Sequence, residues 1–384
     1  MWPKKNLTGF RRYHVLLNAI TVFFLLTLPR LAALYLFWGE IDAMIQCFST
    51  HMPFAIGIVK LVILYLQQQA LGEFMEKMEC DWKNPISNEQ YRTMMRMAKI
   101  GRQISIFSGL TVYSGNSFGV VVQKWYNLES FYIQQPDPRL TLNLFWVAYL
   151  PIDTSKNINF AVSLLLQFYT SFIGSLAYFV FDSLIAMTTL HVCGQLDCLK
   201  LSFAQLCENE NTEKPWKFQK DLRRIVQRHS ELIRSVAENH FSLDNSFNFV
   251  LFLSFIGCTL TFCFQGYAII RVILLDTGKL NFFQVAFSAT VTMGAISHFF
   301  ICCWMGDLLI TQSTAVGQAY YKNVWYKLPH QQARSLMIIG FKNFRSLQLT
   351  AGKFVPLSLN LFLKVIKSSM SYLSMLLAVQ SRQV

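Results

Sequence analysis

Seven stretches of the chain are apolar over long windows: residues 15–38, 44–66, 103–122, 158–181, 247–272, 282–305 and 354–379. Each is near the ~20 residues that carry an α-helix across a hydrocarbon layer. Lipid offers no hydrogen bonds to a bare backbone, so helices are the expected form. The pattern predicts an all-α membrane protein with seven transmembrane helices. Two spans do not stop where their apolarity thins. Leu184, Met187, Leu190, Cys193, Leu196 and Leu199 follow the fourth at helical spacing, and Leu309 and Val316 extend the sixth. Such periodicity continues a helix into solvent.

The polar interruptions carry further information. Pro29 near the middle of the first span predicts a kink, and Arg30 beside it must face protein or snorkel. The second span contains His51, Pro53 and Lys60. Ser108, Gly109, Ser114, Gly115 and Gly119 break the third and permit close helix approach. The seventh carries Lys364, Lys367, Ser368, Ser369, Ser371, Tyr372 and Ser374, so it is expected to face protein or water on at least one side. Between spans, residues 67–102 are hydrophilic, with a helical spacing of Met and Ile over 88–102. Residues 123–157 are aromatic and carry Pro136, Pro138 and Pro151, which predicts an ordered lid. Residues 218–241 form a basic amphipathic helix with Arg223, Arg224, Arg228, His229 and Arg234, and residues 320–345 are basic, aromatic and amphipathic.

Composition agrees with a membrane protein. Hydrophobic residues make up 53% of the chain and charged residues 14%, against about 25% charged in soluble domains. The net charge of +13 is dispersed between spans, which disfavours nucleic-acid binding. Seven spans place the termini on opposite sides. The large majority of the 34 Lys and Arg residues fall on the N-terminal side, so the N-terminus is expected in the cytoplasm and the C-terminus outside. The single N-x-S/T acceptor, Asn6-Leu7-Thr8, then lies in the cytoplasm. The opening MWPKKNLTGFRRYH lacks the order of a cleavable leader. None of the nine cysteines forms a C-x-x-C pair, so neither a metal site nor an outer disulfide is expected, and Cys302-Cys303 reads as span packing.

No Gly-rich phosphate loop, G-x-S-x-G, H-E-x-x-H or paired intramembrane carboxylate occurs, so no enzyme and no cofactor are expected. A G-protein-coupled receptor would have the reverse orientation, with D-R-Y and N-P-x-x-Y motifs that are missing here. A secondary transporter would favour internal repeats and charged, broken spans.

The closing block carries a resemblance. Ala319-Tyr320, Trp325, the basic stretch through Arg334 and Arg345, and Leu349-Thr350-Ala351-Gly352-Lys353-Phe354 are its first half. Leu357-Ser358 and Lys367-Ser368-Ser369-Met370-Ser371-Tyr372 before Leu376-Leu377 are its second. Together they resemble the C-terminal region of insect odorant receptors. Leu150-Pro151-Ile152-Asp153-Thr154-Ser155 looks like that family's loop motif ahead of span 4. Asp182, His191, Gln195 and Leu196 look like its span-4 extension.

The resemblance implies an odorant-gated, non-selective cation channel in the plasma membrane of olfactory sensory neurons. A tuning subunit assembles there with a shared co-receptor as a heterotetramer and detects small, volatile, largely apolar molecules. The connection over 183–246 lacks the insertion of the co-receptor, so this chain looks like a tuning subunit. A gustatory-type receptor channel and a secondary transporter are the alternatives. The gustatory ending, T-Y, five apolar residues and Q-F, is only partly matched, because position 378 is Ala and Gln380 precedes Ser381.

The resemblance also divides the chain. Residues 1–14 form a cytoplasmic N-terminus, 15–181 the first four spans with an outer-half ligand pocket, and 182–246 a cytoplasmic helical extension. Residues 247–305 hold spans 5 and 6, 306–353 cytoplasmic anchor helices, and 354–380 the pore-lining seventh span. The implied odorant site comprises Thr50, Phe54, Ile58, Val112, Tyr113, Asn116, Leu164, Phe168, Ser171, Phe287, Thr290 and Met293. Lys367, Ser371, Met375 and Val379 recur every fourth residue and so share a helix face. The family's apolar gate falls on that face at Met375 and Val379, with Ser371 beside the path and Lys367 an unexpected charge. Trp325, Phe341, Phe344 and Leu347 are the expected buried contacts of the subunit anchor.

Overall fold

The computed structural model describes residues 9–36, 38–83, 87–126, 137–208, 215–238, 243–275, 282–322, 325–342 and 346–380. Its helices are α1 (Gly9–Val22), α2 (Leu28–Leu36), α3 (Ile41–Leu66), α4 (Gln68–Lys83), α5 (Asn88–Tyr126) and α6 (Asn157–Glu208). They continue as α7 (Pro215–Ile233), α8 (Leu243–Leu275), α9 (Phe282–Lys322), α10 (His330–Lys342) and α11 (Leu359–Gln380). Two short antiparallel hairpins join them, β1 (Leu140–Thr141) with β2 (Ala148–Tyr149), and β3 (Thr350–Ala351) with β4 (Val355–Pro356).

Five segments among the described residues are long and apolar enough to cross a membrane: Tyr13–Leu36, Ala43–Leu66, Asn157–Leu206, Phe247–Ile270 and Phe282–Ala319. The other two predicted spans lie on α5 and α11, where Ser, Gly, Asn and Lys dilute the apolar run. The kink expected in the first span is a π-helical turn over Phe23–Thr27. Pro29 gives the physical cause. Its ring collides with the carbonyl four residues back, at position 25, and a widened turn there absorbs the collision.

The periodicity beyond residue 181 is one continuous helix of 52 residues, and α9 runs for 41. The hydrophilic stretch after the second span is more ordered than its composition implied. It contains α4, which buries Ala70, Leu71 and Met78, and residues 88–102 fuse with the third span into α5. The far half of α6 packs with α7, the start of α8, the end of α9 and α10 into the larger core. Phe181, Leu196, Phe203, Phe218, Phe247, Val316 and Leu336 are buried there. The apolar stripe of α7, Phe218, Leu222, Ile225 and Leu232, faces this core, each side chain contributing about 1.5–3 kcal/mol by its burial. Asp81 ties α4 to it, accepting from His191 Nε2 at 2.9 Å and Arg228 Nη2 at 2.5 Å.

The seventh span begins later than its apolarity implied. Residues 350–356 form the second hairpin, turned by Gly352 at φ +63° and Lys353 at φ +64°. Asp244 at the start of α8 accepts from Thr350 N at 2.6 Å and Thr350 Oγ1 at 2.8 Å, and Gly352 N donates to Asn248 O. Ser358 then caps α11, its Oγ accepting from Leu361 N at 3.2 Å. The entry into α11 lies so close to α9 that a Cβ on Gly306 would sit 2.5 Å from Leu357 O. Val365, Ser369 and Leu373 bury one face of α11, while Lys367, Met370, Ser371 and Met375 are exposed on the other.

Two outcomes follow. Gly306→Ala forces a methyl group against the Leu357 backbone and is expected to cost on the order of 1–3 kcal/mol, read as a lowered Tm of the purified chain. For Asp81, burial raises the carboxyl's pKa, but the hydrogen bond from His191 and the charge and hydrogen bond of Arg228 outweigh it and hold the group below its ordinary value. Its stabilisation is therefore complete above the unfolded carboxylate range and is lost as pH falls through the depressed value. Asp81→Asn is expected to lower Tm at neutral pH, with the gap to wild type closing in acid. A gap that widened with acid would contradict this arrangement.

Candidate ligand cavity

A cavity of about 220 Å³ lies between α3, α5, α6, α8 and α9. Its walls are Phe54 and Ile56 from α3, Phe107 and Val112 from α5, Tyr178 and Ile185 from α6, and Phe287 and Val291 from α9. Phe54 rests against Gly174, where a Cβ would approach within 2.9 Å of its ring. A side chain at 174 would push this wall into the cavity. Apolar walls with a few polar groups suit a small organic ligand.

The segment ahead of α6 closes one end, consistent in its described part with the ordered lid expected from its prolines. Residues 127–136 of that loop lie outside the described residues. Gln167 brackets the lid: its Oε1 accepts from Trp146 N at 3.1 Å and its Nε2 donates to Trp146 O at 2.9 Å. Trp146 Nε1 donates to Ser171 Oγ at 3.0 Å, and its ring meets Phe54 edge-on at 5.7 Å. Arg30 lies 5.1 Å from the Trp146 ring centre and donates to Thr50 Oγ1 at 2.7 Å. This arginine faces protein, as its place in an apolar span requires.

The other end carries charge. Lys60 Nζ donates to Asp182 Oδ1 at 2.9 Å, and His298 Nδ1 lies 2.8 Å from Asp182 Oδ2. The lysine is fully buried and stands 3.5 Å from the centre of the Tyr178 ring, a cation–π contact in a dry site. Asp182, placed by the resemblance in the span-4 extension, sits buried on the cavity wall with His298 and Tyr178. The reason is charge pairing: Lys60 on α3 cannot be buried alone, and α6 supplies its partner.

Six of the twelve expected pocket residues line this cavity: Thr50, Phe54, Val112, Asn116, Phe287 and Thr290. Val112 and Asn116 are one turn apart and share the inner face of α5. Tyr113 points off that face and stacks on Phe172 at 5.2 Å and Phe179 at 6.2 Å. Ser171 stands behind the wall and holds Trp146. Ile58 and Leu164 pack against the cluster that contains Phe54, and Phe168 lies against Phe145. Met293 is 65% exposed and outside the lining. Trp146, Tyr178, Asp182 and His298 line the cavity without having been singled out for it. The readable signal was an unpartnered Lys60 in an apolar span, which demands a buried acid elsewhere.

On the pore candidates, Ser371, Met375 and Lys367 share the exposed face of α11, and the Val379 side chain lies outside the described residues. Of the anchor residues, Leu347 is buried and Trp325 half-buried, both in the chain's own larger core. The Phe341 side chain and Phe344 lie outside the described residues.

Known proteins share this architecture. The structure of the insect olfactory receptor OR5 from Machilis hrabei superposes with a TM-score of 0.79 over 98% of this chain and 92% of that one, at 14% identity. The same receptor in complex with eugenol superposes at 0.76, covering 99% and 93%, at 17% identity. Odorant receptor 13a of Drosophila melanogaster is 26% identical over 244 residues, 60% of this chain and only 56% of its own length. Odorant receptor Or2 of Anopheles gambiae is 21% identical over 350 residues, covering 89% of this chain and 86% of that receptor. The model of the family described as 7tm odorant receptor matches residues 40–370. With its helical fold and membrane-length apolar helices, the chain belongs to the seven-transmembrane odorant receptor family.

Proposed function

We propose that the chain is the tuning subunit of an odorant-gated, non-selective cation channel in the plasma membrane of olfactory sensory neurons. It assembles with a co-receptor into a tetramer, its N-terminus in the cytoplasm. The carrying observation is the apolar cavity among α3, α5, α6, α8 and α9, capped by Trp146 and roomy enough for a small volatile molecule. The receptor of the same fold solved with eugenol supports a small organic ligand.

Gating then follows a mechanical route. A ligand against Phe287 and Thr290 bears on α9. Phe299 and Phe300 of α9 contact Phe362 of α11, with ring centres 5.9 and 5.4 Å apart, so movement of α9 is felt by α11. The exposed stripe Lys367, Ser371 and Met375 finds no cover within the chain's own described helices, as expected of a face that meets water or neighbouring subunits. Four such helices close the path at Met375 and Val379 by dewetting, and parting them admits cations. The far half of α6, α7, the end of α9 and α10 form the cytoplasmic module through which subunits join.

Three variants test this reading with the co-receptor present. Met375→Ala is expected to raise unliganded current or alter ion selectivity, and unchanged current with unchanged selectivity would remove this face from the path. Phe54→Ala is expected to shift agonist sensitivity by about tenfold, the equivalent of about 1.4 kcal/mol of lost wall contact. Gln167→Ala frees both backbone groups of Trp146, at a cost of roughly 1–3 kcal/mol, and is expected to weaken agonist response without abolishing surface delivery.

A further inference from the structure

Within this reading of the cavity as the ligand site, we infer that His298 selects for ligands bearing a hydroxyl group, alcohols or phenols, by accepting their proton at Nε2. The observation is an unsatisfied atom. His298 lines the cavity, and its Nδ1 edge is committed to Asp182 at 2.8 Å. Its Nε2 is buried and has no hydrogen-bond partner among the described residues. With Nδ1–H donated to the carboxylate, the neutral ring carries its lone pair on Nε2. A buried acceptor left bare is unfavourable, and a ligand that donates to it recovers that loss.

The surrounding charge narrows the ligand class. Asp182 is already neutralised by Lys60, so a cationic amine gains little by entering. A carboxylate would meet the Asp182 charge, while the Lys60 ammonium is taken by Asp182 and the Tyr178 ring. Thr290 and Thr111 already donate their hydroxyls to their own helix carbonyls. A neutral donor on an apolar body fits best: the hydroxyl at His298, the body along Phe107, Val112, Phe287 and Val291.

The test uses n-hexanol and its isomer methyl pentyl ether, which match in atoms but differ in the donor proton. Binding to the purified full chain in lipid nanodiscs is read by quenching of tryptophan fluorescence, Trp146 lying on the cavity wall. Wild type is expected to hold the alcohol about tenfold more tightly than the ether, the size of one hydrogen bond to a buried orphan. His298→Phe removes the acceptor and is expected to level the two by weakening the alcohol alone, whereas His298→Gln, which keeps a side-chain acceptor, retains a preference. Equal binding of both isomers by wild type overturns the proposal without recourse to any variant, as does an alcohol preference that survives His298→Phe. Currents recorded with the co-receptor separate the two readings. Discrimination in binding without current defeats the channel assignment alone, and current without discrimination defeats the hydroxyl assignment alone.

Discussion

A buried lysine must find its counter-charge inside the protein, and the position of that counter-charge organises this fold. Lys60 on α3 meets Asp182 on α6, and the same carboxylate holds His298 on α9. One carboxylate thus joins three helices that are far apart in sequence. Removing one member of a buried ion pair costs on the order of 3–5 kcal/mol, because the other is left bare in a dry site. The arrangement fixes the relative height of the three helices, and with it the end of the cavity that α3, α6 and α9 help to wall.

The opposite end is held by hydrogen bonds to Trp146 and by Arg30 lying against its ring. Gln167 grips both backbone groups of Trp146, and Ser171 takes the indole N–H. Between a charged floor and a tryptophan lid, the lining is mainly aromatic and aliphatic. Such a lining suits an apolar molecule that carries a single polar group.

Much of the fold was legible in the chain. Each of the seven apolar stretches lies largely on helix, five of them in segments long and apolar enough to cross a membrane, and the helical spacing past Phe181 and Met305 continues as α6 and α9. Where reading failed, the reason is physical. The hydrophilic segment 68–83 is a helix because Asp81 and a few buried side chains dock it on the core, a tertiary effect invisible to local hydropathy. The seventh span starts at Leu359 because Gly352 and Lys353 turn the chain back first. In the cavity, α5 showed its inward face through Val112 and Asn116, but whether Tyr113 or Asn116 turns inward depends on helix rotation, which periodicity leaves open by about 100° per residue. Asp182, His298 and Lys60 are separated by well over a hundred residues at the widest, so their meeting is a product of packing alone.

In the proposed function, a small molecule in this cavity opens a cation path made by the protein itself. Recording from an excised patch that holds this chain and a co-receptor, bathed without nucleotides, tests it most directly. A cation current that follows application and removal of a small volatile agonist is expected in the nucleotide-free patch. A response that disappears on excision and returns only when a G-protein cascade is resupplied would contradict it.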